Sequence, residues 1–136
     1  MTFNKSFRYQ VFEKASLARN FEEEVITNVK NKNIKIPVYV SAGQEFIAST
    51  IATICNQKKI KPLIFGQHRC HSTYLTFGGD KAKLIDELLQ KKTGCTQGMG
   101  GSASIHSKKI NMHGHDGLMG SNGPIGVGAC YATKKP

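Results

Sequence analysis

Two stretches decide how this chain is read. The first is Thr93-Gly94-Cys95-Thr96-Gln97-Gly98-Met99-Gly100-Gly101-Ser102. The second is Gly114-His115-Asp116-Gly117-Leu118-Met119-Gly120-Ser121-Asn122-Gly123-Pro124-Ile125-Gly126-Val127-Gly128-Ala129. Nine of the fourteen glycines fall between Gly98 and Gly128. Each ordered glycine costs backbone entropy, so this density points to positive φ angles or close backbone approach. The glycines are interleaved with His, Ser, Asn and small apolar residues, which a flexible linker does not need. The segment reads as a cofactor-facing loop.

Working outward, Phe7, Val11, Ala15, Ala18, Val25 and Val29 recur at helical spacing, with Glu13, Arg19, Glu22, Glu23 and Asn28 on the polar side. That helix should end near Asn31–Asn33. Ile34 to Val40 is extended, since Pro37 argues against helix. Ser41-Ala42-Gly43-Gln44 reads as a capping box opening a helix. Phe46, Ile47, Ala48, Ile51, Ala52, Ile54 and Cys55 make this helix apolar around most of its circumference, so burial is expected. Leu63-Ile64-Phe65 is a short strand or extended link between Pro62 and Gly66. Asp80 is a good N-cap for a helix through Gln90, with Leu84, Ile85, Leu88 and Leu89 on one face and Gly94 suited to its C-terminal cap. From Pro124 to Thr133, Ile125, Val127, Ala129 and Ala132 read as the first turns of a tightly packed helix.

The 136 residues are at most one domain, and an apolar fraction of 39% with 21% charged residues suits a globular chain. No apolar run reaches the roughly 18 residues of a membrane span. The amino-terminal residues lack the features of a secretory signal, so the cytoplasm is the default expectation. Cys55, Cys70, Cys95 and Cys130 show no Cys-x-x-Cys spacing, which points to reduced thiols. Net charge is +10, yet only three of nineteen basic residues are Arg, and no basic residues alternate with aromatics as in a base-stacking groove. Nucleic-acid binding is disfavoured. A metal reading of His113-x-His115-Asp116 with His68 and His71 lacks the spacing of a closed zinc site.

Taken in order, the motifs are Gly43-Gln44-Glu45, His68-Arg69-x-His71, Gly78-Gly79-Asp80, Thr93-Gly94-Cys95, Gly98-x-Gly100-Gly101-Ser102 and Gly117-Leu118-Met119-Gly120, with Pro124 following. The series closely resembles the amino-terminal part of the alpha subunit of thiamine-diphosphate-dependent 2-oxoacid dehydrogenases, over about residues 7 to 133. The resemblance implies an α/β fold, the amino-terminal portion of a thiamine-diphosphate-binding domain over residues 1–136, helix-rich with short strands and an incomplete parallel sheet. It implies oxidative decarboxylation of a 2-oxoacid, with acyl transfer to a lipoyl disulfide. The implied partners are a beta subunit, a second alpha subunit and a lipoyl-bearing acyltransferase, with no nucleic acid and no membrane.

The implied cofactor contacts are Arg69 to the diphosphate, His68 beside it where relatives often have Tyr, and Gly117 and Met119 against the aminopyrimidine. An Arg guanidinium offers a fixed fork of donors for phosphate oxygens. Without the resemblance, Arg69 reads as a surface ion pair. His71 either orients phosphate contacts or packs structurally. His106 is an insecure equivalent of the family's His after Gly-Gly-Ser, and Gly98, Gly100 and Gly101 shape a loop and subunit contact. No catalytic residue is assigned, because the activating Glu belongs to the beta subunit. Tyr39 stands where many relatives carry a His near the substrate, and Tyr is a poor proton shuttle near neutral pH. The family's magnesium motif, Gly-Asp-Gly ending in Asn, is expected downstream, so no metal ligand is assigned. The isolated chain is therefore expected neither to bind thiamine diphosphate tightly nor to turn over a 2-oxoacid. It reads as a truncated, split or fragmentary subunit. The alternatives are a non-catalytic, subunit-binding remnant and a related thiamine-diphosphate enzyme with another carbonyl substrate.

Overall fold

The computed structural model describes residues 4–114 and 118–133. Its longest element is α1, Lys5–Lys30, started by Asn4, whose side chain accepts a hydrogen bond from the Phe7 amide at 2.8 Å. Phe7, Val11, Ala15, Ala18 and Val25 form its buried stripe as the spacing predicts, while Val29 is exposed. One polar assignment is overturned. Glu22 does not lie on the solvated side but is fully buried beside Phe21. The helix closes at Asn31, and Lys32 takes a left-handed φ of 60°.

Residues 31–44 cross the surface without forming a strand, while Ile34 is buried and Ile36, Val38 and Val40 pack partly against the core. Helix α2, Glu45–Gln57, follows. Its start corrects the capping-box reading. Gln44 is the N-cap and makes no side-chain cap bond, and the Ser41 hydroxyl turns inward to Glu22 instead. Its burial is also one-sided. Ala48, Ala52 and Cys55 are buried, but Phe46, Ile47 and Ile51 are more than half exposed.

The short segment after Pro62 becomes β1, Ile64–Phe65, which pairs in parallel with β2, Met112–His113, in the register Ile64 to Met112 and Phe65 to His113. Between them lie α3, His71–Thr76, and α4, Lys81–Leu88. A 3-10 turn, Lys108–Ile110, precedes β2. Asp80 caps α4 as expected, accepting from the amides of Ala82 and Lys83. The helix ends two residues before Gln90, however, because Gln90 itself takes the left-handed conformation at φ 56°. Gly94 is therefore not the cap. It is needed for close approach, since a Cβ there would lie 2.7 Å from the Cα of Glu87.

The core joins Phe21 and Val25 of α1 to Ile64, Tyr74, Leu84, Leu88, Ile105 and Met112. Helix α5, Asn122–Thr133, lies outside it. It has no buried residue, and Val127 and Tyr131 are exposed, so its tight packing is not realised within this chain. All four cysteines are free thiols, and burial pushes the Cys70 thiol up to about 12. Among the described residues no helix is long and apolar enough to cross a membrane. The result is a helix-rich α/β arrangement around a short, open parallel sheet.

Candidate cofactor site

Parallel strands leave their carboxyl ends on one edge, and open α/β sheets bind ligands in the crevice outside that edge. Here β1 delivers Gly66, Gln67, His68 and Arg69, while β2 delivers Gly114 and, further on, Leu118 to Gly120. The two connections are tied together. The Asn122 amide donates to the Gly66 carbonyl at 2.7 Å, and the Phe65 and His113 rings stack with centroids 5.0 Å apart. The fold thus brings the His68–Arg69 turn and the segment bearing Met119 to one edge.

Arg69 is exposed at the lip of a cleft of about 310 Å³ lined by Gln44, Ile47, Ile51, Leu63 and Phe65. Among the described residues no carboxylate lies within ion-pair distance of its guanidinium. His68 is half-buried and meets the Tyr39 ring edge-on at 5.0 Å. The Met119 side chain is 76% exposed. Gly117 lies outside the described residues, as do His115 and Asp116. Among the described residues there is no cluster of three or more metal-ligating side chains. The polar side chains at this edge include a guanidinium and an imidazole, groups suited to an anion.

His71 sits behind this edge, fully buried, with both ring nitrogens engaged. Its Nδ1 lies 3.0 Å from Glu22 Oε2, and its Nε2 lies 2.9 Å from the Ser102 hydroxyl. Ser102 also accepts from the Tyr39 amide at 2.8 Å. On the other side, the amide and hydroxyl of Ser41 donate to Glu22, and the Ser41 oxygen accepts from the Ser72 amide. This buried chain joins α1, the segment before α2, the start of α3 and the Gly-rich loop. Burial raises the Glu22 carboxyl, but the bonds from His71 and Ser41 outweigh it and hold the group below its ordinary value. Of the two readings open for His71, this geometry is that of packing and positioning. No ring nitrogen is left for a phosphate.

The first glycine cluster wraps around a second buried carboxylate. The Glu87 side chain, on the last turn of α4, accepts from the amides of Thr96 and Gly98 at 2.7 and 2.9 Å on one oxygen. Its other oxygen accepts from Gly100 and Gly101 at 2.8 and 3.0 Å. Such a nest of converging backbone N–H groups is the kind of geometry that elsewhere cradles an anion. Here the protein's own carboxylate fills it. Burial raises the Glu87 carboxyl, yet the hydrogen bonds from this loop prevail and lower it. Gly98 is required at φ 78°, where a Cβ would also lie 2.6 Å from the Gln90 carbonyl carbon. The loop-shaping role read for Gly98, Gly100 and Gly101 thus has a partner in Glu87.

Glu22, Glu87 and Ser102 carry this architecture and were not singled out from sequence for it. A signal for the first two existed. Glu22 stands at helical spacing from Ala18 and Val25, and Glu87 stands at i+3 from Leu84, so both fall on buried stripes. His106 is exposed, 3.3 Å from the Ser104 hydroxyl, and its ring packs against Gly114 just after β2.

Comparison with known proteins gives the family. Residues 13–135 match the family described as dehydrogenase E1 component. The chain is 31% identical over 123 residues to the pyruvate dehydrogenase E1 component subunit alpha-1, mitochondrial, of Oryza sativa subsp. japonica, covering 90% of this chain and 31% of that protein. It is 29% identical over 131 residues to the mitochondrial alpha subunit of Dictyostelium discoideum, covering 96% and 33%. It is 29% identical over 123 residues to the alpha subunit of Rickettsia prowazekii (strain Madrid E), covering 90% and 37%. The chain spans about a third of the length of these relatives. With the motif order, the parallel-strand edge and this match in agreement, the chain belongs to the dehydrogenase E1 component family, on the side of its pyruvate dehydrogenase-like alpha subunits.

Proposed function

We propose that this chain supplies the alpha-subunit share of a thiamine diphosphate site used for oxidative decarboxylation of a 2-oxoacid, pyruvate being the substrate in the names of the curated relatives. The observation that carries the proposal is Arg69, exposed at the carboxyl edge of the parallel strands with no carboxylate partner among the described residues. An uncommitted guanidinium there is available to a diphosphate, and it cannot lose its charge near neutral pH. His68 adds a second donor, and its contact with Tyr39 limits how far the ring can turn. Gly117 and Met119 are the aminopyrimidine contacts in this reading.

When bound, thiamine diphosphate supplies the nucleophilic carbon for decarboxylation, and magnesium, held by residues beyond this stretch, would neutralise the diphosphate. The chain's own residues bind and orient. The chain from Ser72 through Ser41, Glu22, His71 and Ser102 to the Tyr39 amide fixes the wall on which His68 leans. In this reading the proton-handling Glu comes from a beta subunit. The apolar outer faces of α2 (Phe46, Ile47, Ile51) and α5 (Ile125, Val127, Tyr131) are exposed and support docking against such subunits.

The test is phosphorus NMR of thiamine diphosphate with magnesium, titrated with the chain and with Arg69→Met. The parent chain should broaden the diphosphate resonances, weakly and more than those of thiamine monophosphate. Arg69→Met should remove the broadening without changing the circular dichroism spectrum. Equal broadening by the parent and Arg69→Met would refute the assignment.

A further inference from the structure

The net charge of +10 is not used by the site described above. Its distribution is uneven, because residues 46–79 and 88–115 contain no Asp or Glu at all. Elsewhere the acids are largely committed. Glu22, Glu45 and Glu87 are buried, Glu24 pairs with Lys81, Asp86 pairs with Lys91, and Asp80 caps α4. Lys61, Lys83, Lys108 and Lys109 have no carboxylate within ion-pair distance among the described residues.

These four lysines rim two adjoining clefts on either side of the 3-10 turn. The larger, about 580 Å³, is edged by Lys83, Lys108 and Lys109 with His106 and His113, over Tyr74 and Met112. The smaller, about 310 Å³, is edged by Lys61 and Lys109 over Ile60, Phe77 and Ile110. Lys109 and Asn111 line both, so the two clefts form one run. The ridge between them is pinned. Ser107 and Met112 exchange both backbone hydrogen bonds at 2.9 Å, and the Asn111 carbonyl accepts from the Ile64 amide at 2.9 Å.

We propose that this double cleft docks an extended acidic segment of a partner protein, with apolar side chains entering the larger cleft and carboxylates meeting Lys61, Lys83, Lys108 and Lys109. The charge complementarity favours an acidic occupant, and like-charged segments are rejected by the same field. The apolar floor of the larger cleft and the length of the run favour a peptide over a small phosphate ion. Lysines rather than arginines on the rim, with no exposed Phe, Tyr or Trp among the described rim residues, weigh against nucleic acid. A pinned ridge needs little ordering on binding, which lowers the cost of docking.

The experiment is fluorescence anisotropy of a labelled dodecapeptide alternating Glu and Leu, titrated with the whole 136-residue chain. Probes for comparison are the Lys/Leu counterpart, a Glu/Ser peptide, inorganic tripolyphosphate and single-stranded DNA. The Glu/Leu peptide should bind, weaken as salt rises from about 50 to 300 mM, and lose about tenfold or more in affinity with Lys108→Glu/Lys109→Glu. The charge-matched control Lys5→Glu/Lys35→Glu, on exposed residues remote in sequence from the clefts, should change it by less than about twofold. No binding of the Glu/Leu peptide would overturn the proposal. Equal losses in the two double variants, or tighter binding of DNA, tripolyphosphate or the Glu/Ser peptide, would overturn it too. The readout is independent of the cofactor reading, since neither Arg69 nor thiamine diphosphate takes part.

Discussion

Replacing Glu87 tests whether the first glycine cluster is built around a protein carboxylate. Four backbone amides, from Thr96, Gly98, Gly100 and Gly101, point at its two oxygens at 2.7 to 3.0 Å, and the side chain is fully buried. Hydrogen bonds to a charged group contribute about 1.5–3 kcal/mol each, so four give a gross loss near 6 kcal/mol at the low end. Water can enter beside the half-buried loop and recover part of this. The expected net cost of Glu87→Ala is therefore about 3 kcal/mol, a large share of a typical stability of 5–15 kcal/mol. Glu87→Gln keeps one oxygen but turns an NH2 group toward two donors, so it should cost about half as much. Urea denaturation followed by circular dichroism measures both, and Tm should fall by roughly 10 °C in the Ala variant. The pH dependence adds a second readout. The folded-state carboxyl is held below its ordinary value of 4.5, so its contribution is present above that pH and is lost as pH falls through the folded value. Glu87→Gln should flatten this acid limb. A Glu87→Ala chain within about 0.5 kcal/mol of the parent, with the acid limb intact, would refute the nest.

His71→Leu should cost about 3 kcal/mol, because it leaves the fully buried Glu22 carboxylate with only the Ser41 donors. A double-mutant cycle with Glu22→Leu should recover at least about 1 kcal/mol of coupling, and strict additivity would show that the pair does not interact. Since Glu22 is held below 4.5 by His71 and Ser41, the gap between parent and His71→Leu should narrow as pH falls below that value. Gly94→Ala should destabilise by about 2 kcal/mol, because its Cβ would press on the Glu87 backbone. Gly128→Ala, mid-helix in α5 with nothing within 4 Å of its added Cβ, should instead stabilise the chain by about 0.5–1 kcal/mol. Equal effects at the two glycines would show that the close approach at Gly94 is not a constraint.

What the residues dictate by themselves is local. Helical spacing placed Phe7, Val11, Ala15, Ala18 and Val25 on one stripe, and Asp80 capped α4, because both follow from backbone geometry within a few residues. The order of the glycine and His-Arg motifs pointed to the family, since that order survives independently of packing. Tertiary structure decided what lies between elements distant in sequence. Ser41 looked like an N-cap, but the Glu22 carboxylate 19 positions earlier offers a charged acceptor in a dry interior, and that bond prevails over a local cap. Apolar content alone could not say which face of α2 is covered, because coverage depends on what the rest of the fold brings against it. Glu22 read as part of the polar side of α1, and Glu87 carried no reading of its own. They are buried because His71, 49 positions away, and a loop of amides 9 to 14 positions away meet them with hydrogen bonds. Local propensity has no access to such partners, and a buried carboxylate is tolerable only when they arrive.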